Sequence, residues 1–462
     1  MGEIDDVKKL FGGSGGAELR QYYASADTWR RIYGGDPDWK TVKKSGLYRG
    51  GSRRMNMLGT AKVLCDRFAA GVMVERPKLV YSDKAVGEYV QKVLDESSFF
   101  ERLTERLPYA FATGGCVFRP YISKGKIAID CVPCGNFIPL EWDENGVSSA
   151  CFKSVSVKNG QRYTLYERRG FDGKNAVSEH RLFCAKDGGT ASECSLSAGY
   201  PELMPKIVYD GVTENLFSVF RVFGANNLYP NLPLGISVYA NAADTLRALD
   251  VAFDSFAREF ILGKKRIIVP SSCVQTVVDI ATGEQRQYFD ADDEAYVALK
   301  CDEESELKIT DNTVELRVDE HIKAINALLN ILCFQTGLSS GTFSFDVNEG
   351  VKTATEIISR DSRTAVTIRA QQNALGKAVA GLVREIAALG VYLGDLEAAD
   401  FSADVLWQDG IITDENTLIE NSVKLVQNGL KSKVTAIMEL SRCSYDEALK
   451  EYERIKLEKE DN

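Results

Sequence analysis

The feature that most constrains this chain is a sevenfold apolar row. Tyr239, Leu246, Phe253 and Phe260 recur every seven residues, and Ala242, Leu249 and Phe256 form a second row offset by three. Such spacing keeps one stripe of an α-helix facing a lengthwise partner. Ser237 is placed to cap the helix and Gly263 to end it. The spacing therefore predicts a rod of about 26 residues, roughly 39 Å long. An ordinary core helix is the alternative reading of the same rows.

A second rod is expected after it. Ile322, Ile325, Leu328, Leu329 and Leu332 line one face, Asp319 is placed to cap it, and Gly337 breaks it. Between the rods, 264–317 reads as short strands and turns: KKRIIVP, QRQYFD, AYVALK, ELKIT and TVELRV. If the rods are antiparallel neighbours, this β-rich insertion sits at their far tip. Its acidic run CDEESE, 301–306, reads as solvated surface. Lys264, Lys265 and Arg266 sit just past the first rod. They either complement the helix C-terminal dipole or meet nucleic-acid phosphate.

Residues 338–351, LSSGTFSFDVNEGV, lack helical periodicity. Thr353 and Glu356 then form a capping box, opening a helix of about 36 residues, roughly 54 Å. Gly376 and Gly381 inside it are candidate bend points. Upstream, 55–72 and 85–111 read as helices. Cys116 to Val222 alternates as antiparallel strands, with Asn-Gly turns at 145–146 and 159–160. Residues 1–50, with GGSGG at 12–16, read as an arm or flexible terminus. The tail carries a strand, ADVLWQDG, and three helices. The fold class is α+β.

Several chemistries are missing. No G-x-x-x-x-G-K-[ST] occurs, so a P-loop motor is not expected. His180 and His321 are the only histidines and form no H-E-x-x-H. Cys131 and Cys134 make one C-x-x-C; zinc would need two further ligands, and a buried strand end is the simpler reading. No catalytic residue, metal or cofactor is assigned. Eleven scattered cysteines behind a polar start fit free thiols in a reducing cytosol. No apolar run is long enough to span a membrane. The net charge of −10 argues against a broad DNA-gripping surface, but not against a channel through which DNA slides.

At GLSSGTFSFDVNEGVKTATEIISRDSRTAVTIRAQQNAL, 337–375, the sequence resembles the portal proteins of tailed phages, the branch common in long-tailed phages of Gram-positive hosts. The K-T-A-T-E entry to the long helix is the most specific part. The helix–β insertion–helix module resembles stem and clip. The acidic tail, with DGIITDE and YDEALKEY, resembles the crown. The resemblance implies a portal-like fold in chain order: an N-terminal arm over 1–54, a mixed α/β wing over 55–236, and stem helices at 237–263 and 318–337 around a clip at 264–317. A tunnel loop at 338–352, a long wing helix at 353–394 and a helical crown at 395–462 complete it.

It also implies a virion protein assembled in the host cytoplasm as a ring of about twelve copies. Its expected partners are double-stranded DNA, the terminase large subunit, the head–tail connector, scaffold and major capsid protein. Ser344, Asp346, Asn348 and Glu349 would face the DNA, and Lys264, Lys265 and Arg266 would meet phosphate. Tyr239, Leu246, Leu249, Phe253, Phe256 and Phe260 would pack stems between subunits. A head–tail adaptor outside the channel and a metal-dependent DNA-processing enzyme are the competing classes.

Overall fold

A computed structural model describes residues 3–14, 16–44, 51–74, 76–186, 191–263, 267–268, 275–278, 285–288, 310–311, 315–345, 354–407, 415–441 and 445–460. Its helices are α1 (Glu3–Phe11), α2 (Gly16–Tyr33), α3 (Thr60–Val72), α4 (Lys84–Glu96), α5 (Phe99–Thr113), α6 (Ala243–Leu262), α7 (Val318–Thr336), α8 (Ala354–Leu393), α9 (Glu415–Gln427), α10 (Lys433–Leu440) and α11 (Tyr445–Glu460). The strand pairings among the described residues are antiparallel. The class is α+β. Two compact units divide the chain: Met1–Pro37, Gly59–Asp244 and Asn330–Asn462 form one, Asp38–Leu58 and Thr245–Leu329 the other.

In the first unit the N-terminal segment is helical where an arm was expected. Leu19, Tyr22, Ala26 and Trp29 recur at helical spacing on α2 and are buried. The Tyr22 hydroxyl donates to the Gly235 carbonyl at 2.8 Å. Burial of that apolar stripe holds the segment down despite its glycine-rich surroundings. The single helix expected over 85–111 is two. Ser98 adopts a left-handed backbone, φ 46°, between α4 and α5, and the Ser97 hydroxyl bonds the Leu94 carbonyl at 3.0 Å. Serine side chains compete with the helical backbone in this way.

Phe137–Asp143, Gly146–Lys158, Gln161–Asp172 and Asn175–Lys186 form a meander, extended by Ser192–Cys194 and Lys206–Tyr209 on the last of these strands. Asn159 and Gly160 both have positive φ, 52° and 72°, which suits the tight hairpin expected there. Phe152 meets Phe137 and Phe217 at 5.5 and 5.6 Å between ring centroids. A smaller sheet pairs Gly115–Ser123 with Lys126–Pro133 on one side and Ser218–Arg221 on the other.

The long helix α8 has 40 residues. Its glycines are close-approach positions. A Cβ on Gly381 would stand 2.2 Å from the Ser218 hydroxyl, and one on Gly376 3.2 Å from the Trp407 indole nitrogen. The strand Ala403–Leu406 pairs with Lys78–Tyr81. The two glycines thus let strand-bearing segments settle onto α8.

In the second unit, Thr41–Lys44 and Gly51–Arg54 form a hairpin, and α6 carries the residues that hold it. Short pairs occur at Ile267–Ile268 with Thr310–Asp311 and at Gln275–Val278 with Gln285–Tyr288. The strand expected over TVELRV is not present in its described part, because α7 starts at Val318. Asp319 therefore lies inside the first turn of α7 instead of capping it. The strand expected over AYVALK, and Thr353 of the capping box, lie outside the described residues.

Candidate functional site

The first rod is shorter than its sequence suggests. The Ser237 hydroxyl accepts the Tyr239 amide at 3.3 Å, a 3-10 turn covers Ala240–Ala242, and α6 has 20 residues, or about 30 Å. Tyr239 is thus off the helix. It is fully buried in its own fold, its hydroxyl donating to the Trp29 carbonyl at 2.7 Å.

Along α6 the row passes from core to surface. Leu246 and Leu249 are buried within the chain. Phe253 and Phe256 are half-buried. Phe260 is 45% exposed, Ile261 61% and Leu316 37%. Phe256 makes edge contact with Phe260, centroids 5.2 Å apart, and lies 5.7 Å from the His321 ring.

The end of α6 and the start of α7 are tied by a fork. The Arg317 guanidinium donates from Nε and Nη2 to the two carboxylate oxygens of Glu259, both at 3.1 Å. Its hydrogen bonds pull the Glu259 carboxyl down to about 2. His321 Nε2 stands 3.6 Å from the same carboxylate. The two rods are therefore neighbours where the insertion leaves them.

Two buried carboxylates one turn apart on α6 hold the 38–58 segment, which was not foreseen. Asp250 accepts from the Trp39 indole at 2.9 Å and the Leu58 amide at 3.0 Å. Asp254 accepts from both Arg53 terminal nitrogens at 2.8 and 2.5 Å and from the Asn56 amide at 3.0 Å. Two acids one helical turn apart, Asp250 and Asp254, were the available signal.

The loop after α7 is pinned on its upstream side. Gly337 takes a left-handed φ of 75°, and the Leu338 amide closes onto the Cys333 carbonyl at 2.8 Å. This is the glycine termination that rod geometry calls for. The Ser339 amide donates to Thr364 Oγ1 at 2.9 Å, and the Gly341 amide to Asn330 Oδ1 at 2.8 Å. Gly341 is thus fastened. Ser344 is exposed. Asp346, Asn348 and Glu349 lie outside the described residues, as do Lys264, Lys265 and Arg266.

The C-x-x-C cysteines do not converge as ligands. Cys134 is buried at 3.2 Å from the Tyr22 hydroxyl, whereas Cys131 lies on the strand Lys126–Pro133 opposite Phe118, and both are free thiols. No group of three or more metal-ligating side chains occurs among the described residues. Among them, no helix is long and apolar enough to cross a membrane.

No curated protein matches the chain. A family model described as "Phage portal protein, SPP1 Gp6-like" matches residues 17–462. The rods, the β insertion between them and the long helix beyond are matched together with the sheets and the tail. The chain belongs to the SPP1 Gp6-like phage portal protein family, and it is a structural subunit of the portal ring at the capsid vertex that serves DNA packaging.

Proposed function

We propose that α6 and α7 are the stem of this ring and that subunits pack through the far end of α6. The observation behind this reading is the gradient along one helical row, buried at Leu249 and 45% exposed at Phe260. A helix that leaves its aromatic end uncovered is completed by a neighbour. The 264–317 insertion would seat the terminase large subunit during packaging and the head–tail connector afterwards. Energy for DNA movement would come from that separate ATPase, with no catalytic step in this chain. Assembly would take place in the host cytoplasm with scaffold and major capsid protein, in about twelve copies.

Phe260→Asp separates this reading from simple folding. Its side chain is half exposed, so the subunit should lose no more than about 1 kcal/mol. Ring formation should fail, because each contact would bury an unpaired carboxylate. Leu249→Asp, by contrast, should unfold the subunit. End-on electron micrographs and subunit melting curves read both effects. Normal rings from Phe260→Asp protein would remove α6 from the interface.

The acidic 340–351 segment is proposed to face the DNA. Its few contacts would be weak, as sliding requires. Replacing Asp346 and Glu349 together by lysine should leave rings intact and slow packaging. The defect should ease as salt rises, because added phosphate contacts are screened. Packaged DNA per procapsid across a salt series is the measurement. Unchanged packaging at every salt would place the segment away from the DNA.

A further inference from the structure

A groove of about 1030 Å³ runs over α8 in the first unit. Its floor includes Ala370, Ala374 and Ala380, small residues that leave room. One wall is the strand Ser218–Arg221, represented by Val219 and Arg221. The other is Ala403, Val405 and Trp407, on and just beyond the strand Ala403–Leu406.

Both walls are strand edges, and the hydrogen-bond phase shows which groups they present. The Val222 amide bonds the Gly114 carbonyl at 3.1 Å, in register with Ser218↔Phe118 and Phe220↔Cys116. In an antiparallel ladder alternate residues face the partner. The backbone groups of Val219 and Arg221 therefore point away from Gly115–Ser123, to the open side. On the other wall the Ser82 amide bonds the Ser402 carbonyl at 3.0 Å, in register with Asp404↔Val80. Ala403 and Val405 therefore point outward there. The outward residues of both strands are among those that line the groove.

The fold itself shows what such an edge takes. At Phe223, the next outward position, the amide donates to Gln371 Oε1 at 2.9 Å and the carbonyl accepts from Gln371 Nε2 at 3.3 Å. A side-chain amide stands in there for a neighbouring strand. Val219 and Arg221 have no such cap among the described residues. The Trp407 indole N–H is buried and, among the described residues, also has no acceptor. An open edge of this kind is a template for another strand.

We propose that this groove takes an extended segment of the neighbouring copy in the ring, added as a strand between the two edges. The ring sets a second copy against every subunit. Charge agrees: Arg221 and Lys377 line the groove with Asp404 as the acid beside them, and the chain as a whole carries −10. A carbonyl of the incoming segment would also accept the Trp407 N–H. The contact is head-to-tail, the kind that closes a ring. The proposal rests on the ring and not on the α6 contact.

Hydrogen exchange on the full chain, as rings and as dissociated subunits, tests it. The amides of Val219, Arg221 and Val405 should exchange roughly tenfold slower or more in the ring than in the free subunit. Val219→Pro removes one outward amide and leaves the pairing to Gly115–Ser123 intact, since that amide takes no part in it. Its subunit should melt as the wild type does, while its rings dissociate at lower urea. Equal protection in free subunits would mean the edge is covered within one chain, which overturns the proposal. Protection absent from the ring, or arising only when another capsid protein is added, also overturns it. Rings that form normally but lack this protection would leave the α6 interface untouched, so the two readings fail separately. If Val219→Pro subunits misfold, the exchange comparison on wild-type protein still decides.

Discussion

Glu167→Ala is expected to destabilise the sheet-bearing unit by about 3–5 kcal/mol. Glu167 is nine-tenths buried, its carboxylate shared between two guanidinia. Arg119 reaches one oxygen and Arg169 the other, each at 2.5 Å. Arg119 also bonds Asp130 at 3.0 Å, and Arg169 bonds the Pro120 carbonyl at 2.7 Å and the Leu216 carbonyl. Removing Glu167 leaves two buried cations with one half-exposed acid between them. Burial opposes ionisation of Glu167, yet Arg169 and Arg119 outweigh it and hold the carboxyl at about 2.

A depressed acid stabilises the fold above its unfolded value and stops doing so as pH falls through its folded value. The wild-type contribution should therefore be complete above about pH 4.5 and fade toward about 2. The alanine variant should lack that acid limb. Thermal unfolding followed across pH measures both. Melting that matches the wild type at pH 7 would show that the cluster is not a net support.

Asp254→Ala is the second large effect, roughly 3 kcal/mol against the docking of 38–58 on α6. Asp254 is 6% exposed and accepts from Arg53 and the Asn56 amide. Its loss strands a guanidinium and one backbone donor together. Exchange at the Asn56 amide should speed up and the 38–58 segment should become sensitive to protease. Arg53→Ala should add little on top of Asp254→Ala, because the two act as one pair. Unaltered exchange at Asn56 in the Asp254 variant would mean that the hairpin is held by something else.

Local chemistry was legible in the chain. The sevenfold rows marked α6, Gly337 marked the end of α7, and Asn159–Gly160 marked a hairpin that the backbone adopts. Each is a short-range rule: helical period, left-handed glycine, primed turn. The resemblance at 337–375 reached the family because a loop leading into a long helix is a contiguous pattern. The candidate interface was half legible for the same reason. Period alone named Tyr239, Leu246, Leu249, Phe253, Phe256 and Phe260 as one stripe.

Tertiary structure decided what period could not. Whether a leucine on that stripe faces its own core or a neighbour depends on what else packs there, and Leu249 is covered whereas Phe260 is not. The same holds for Gly376 and Gly381. In sequence they looked like weak points of a helix; in space they are where Ser218 and Trp407 come close. The N-terminal helices, the Asp250 and Asp254 clasp and the Glu167 cluster join residues up to 213 positions apart. Burial and the pairing of buried charge are set by distance in space, and a one-dimensional pattern carries only distance along the chain.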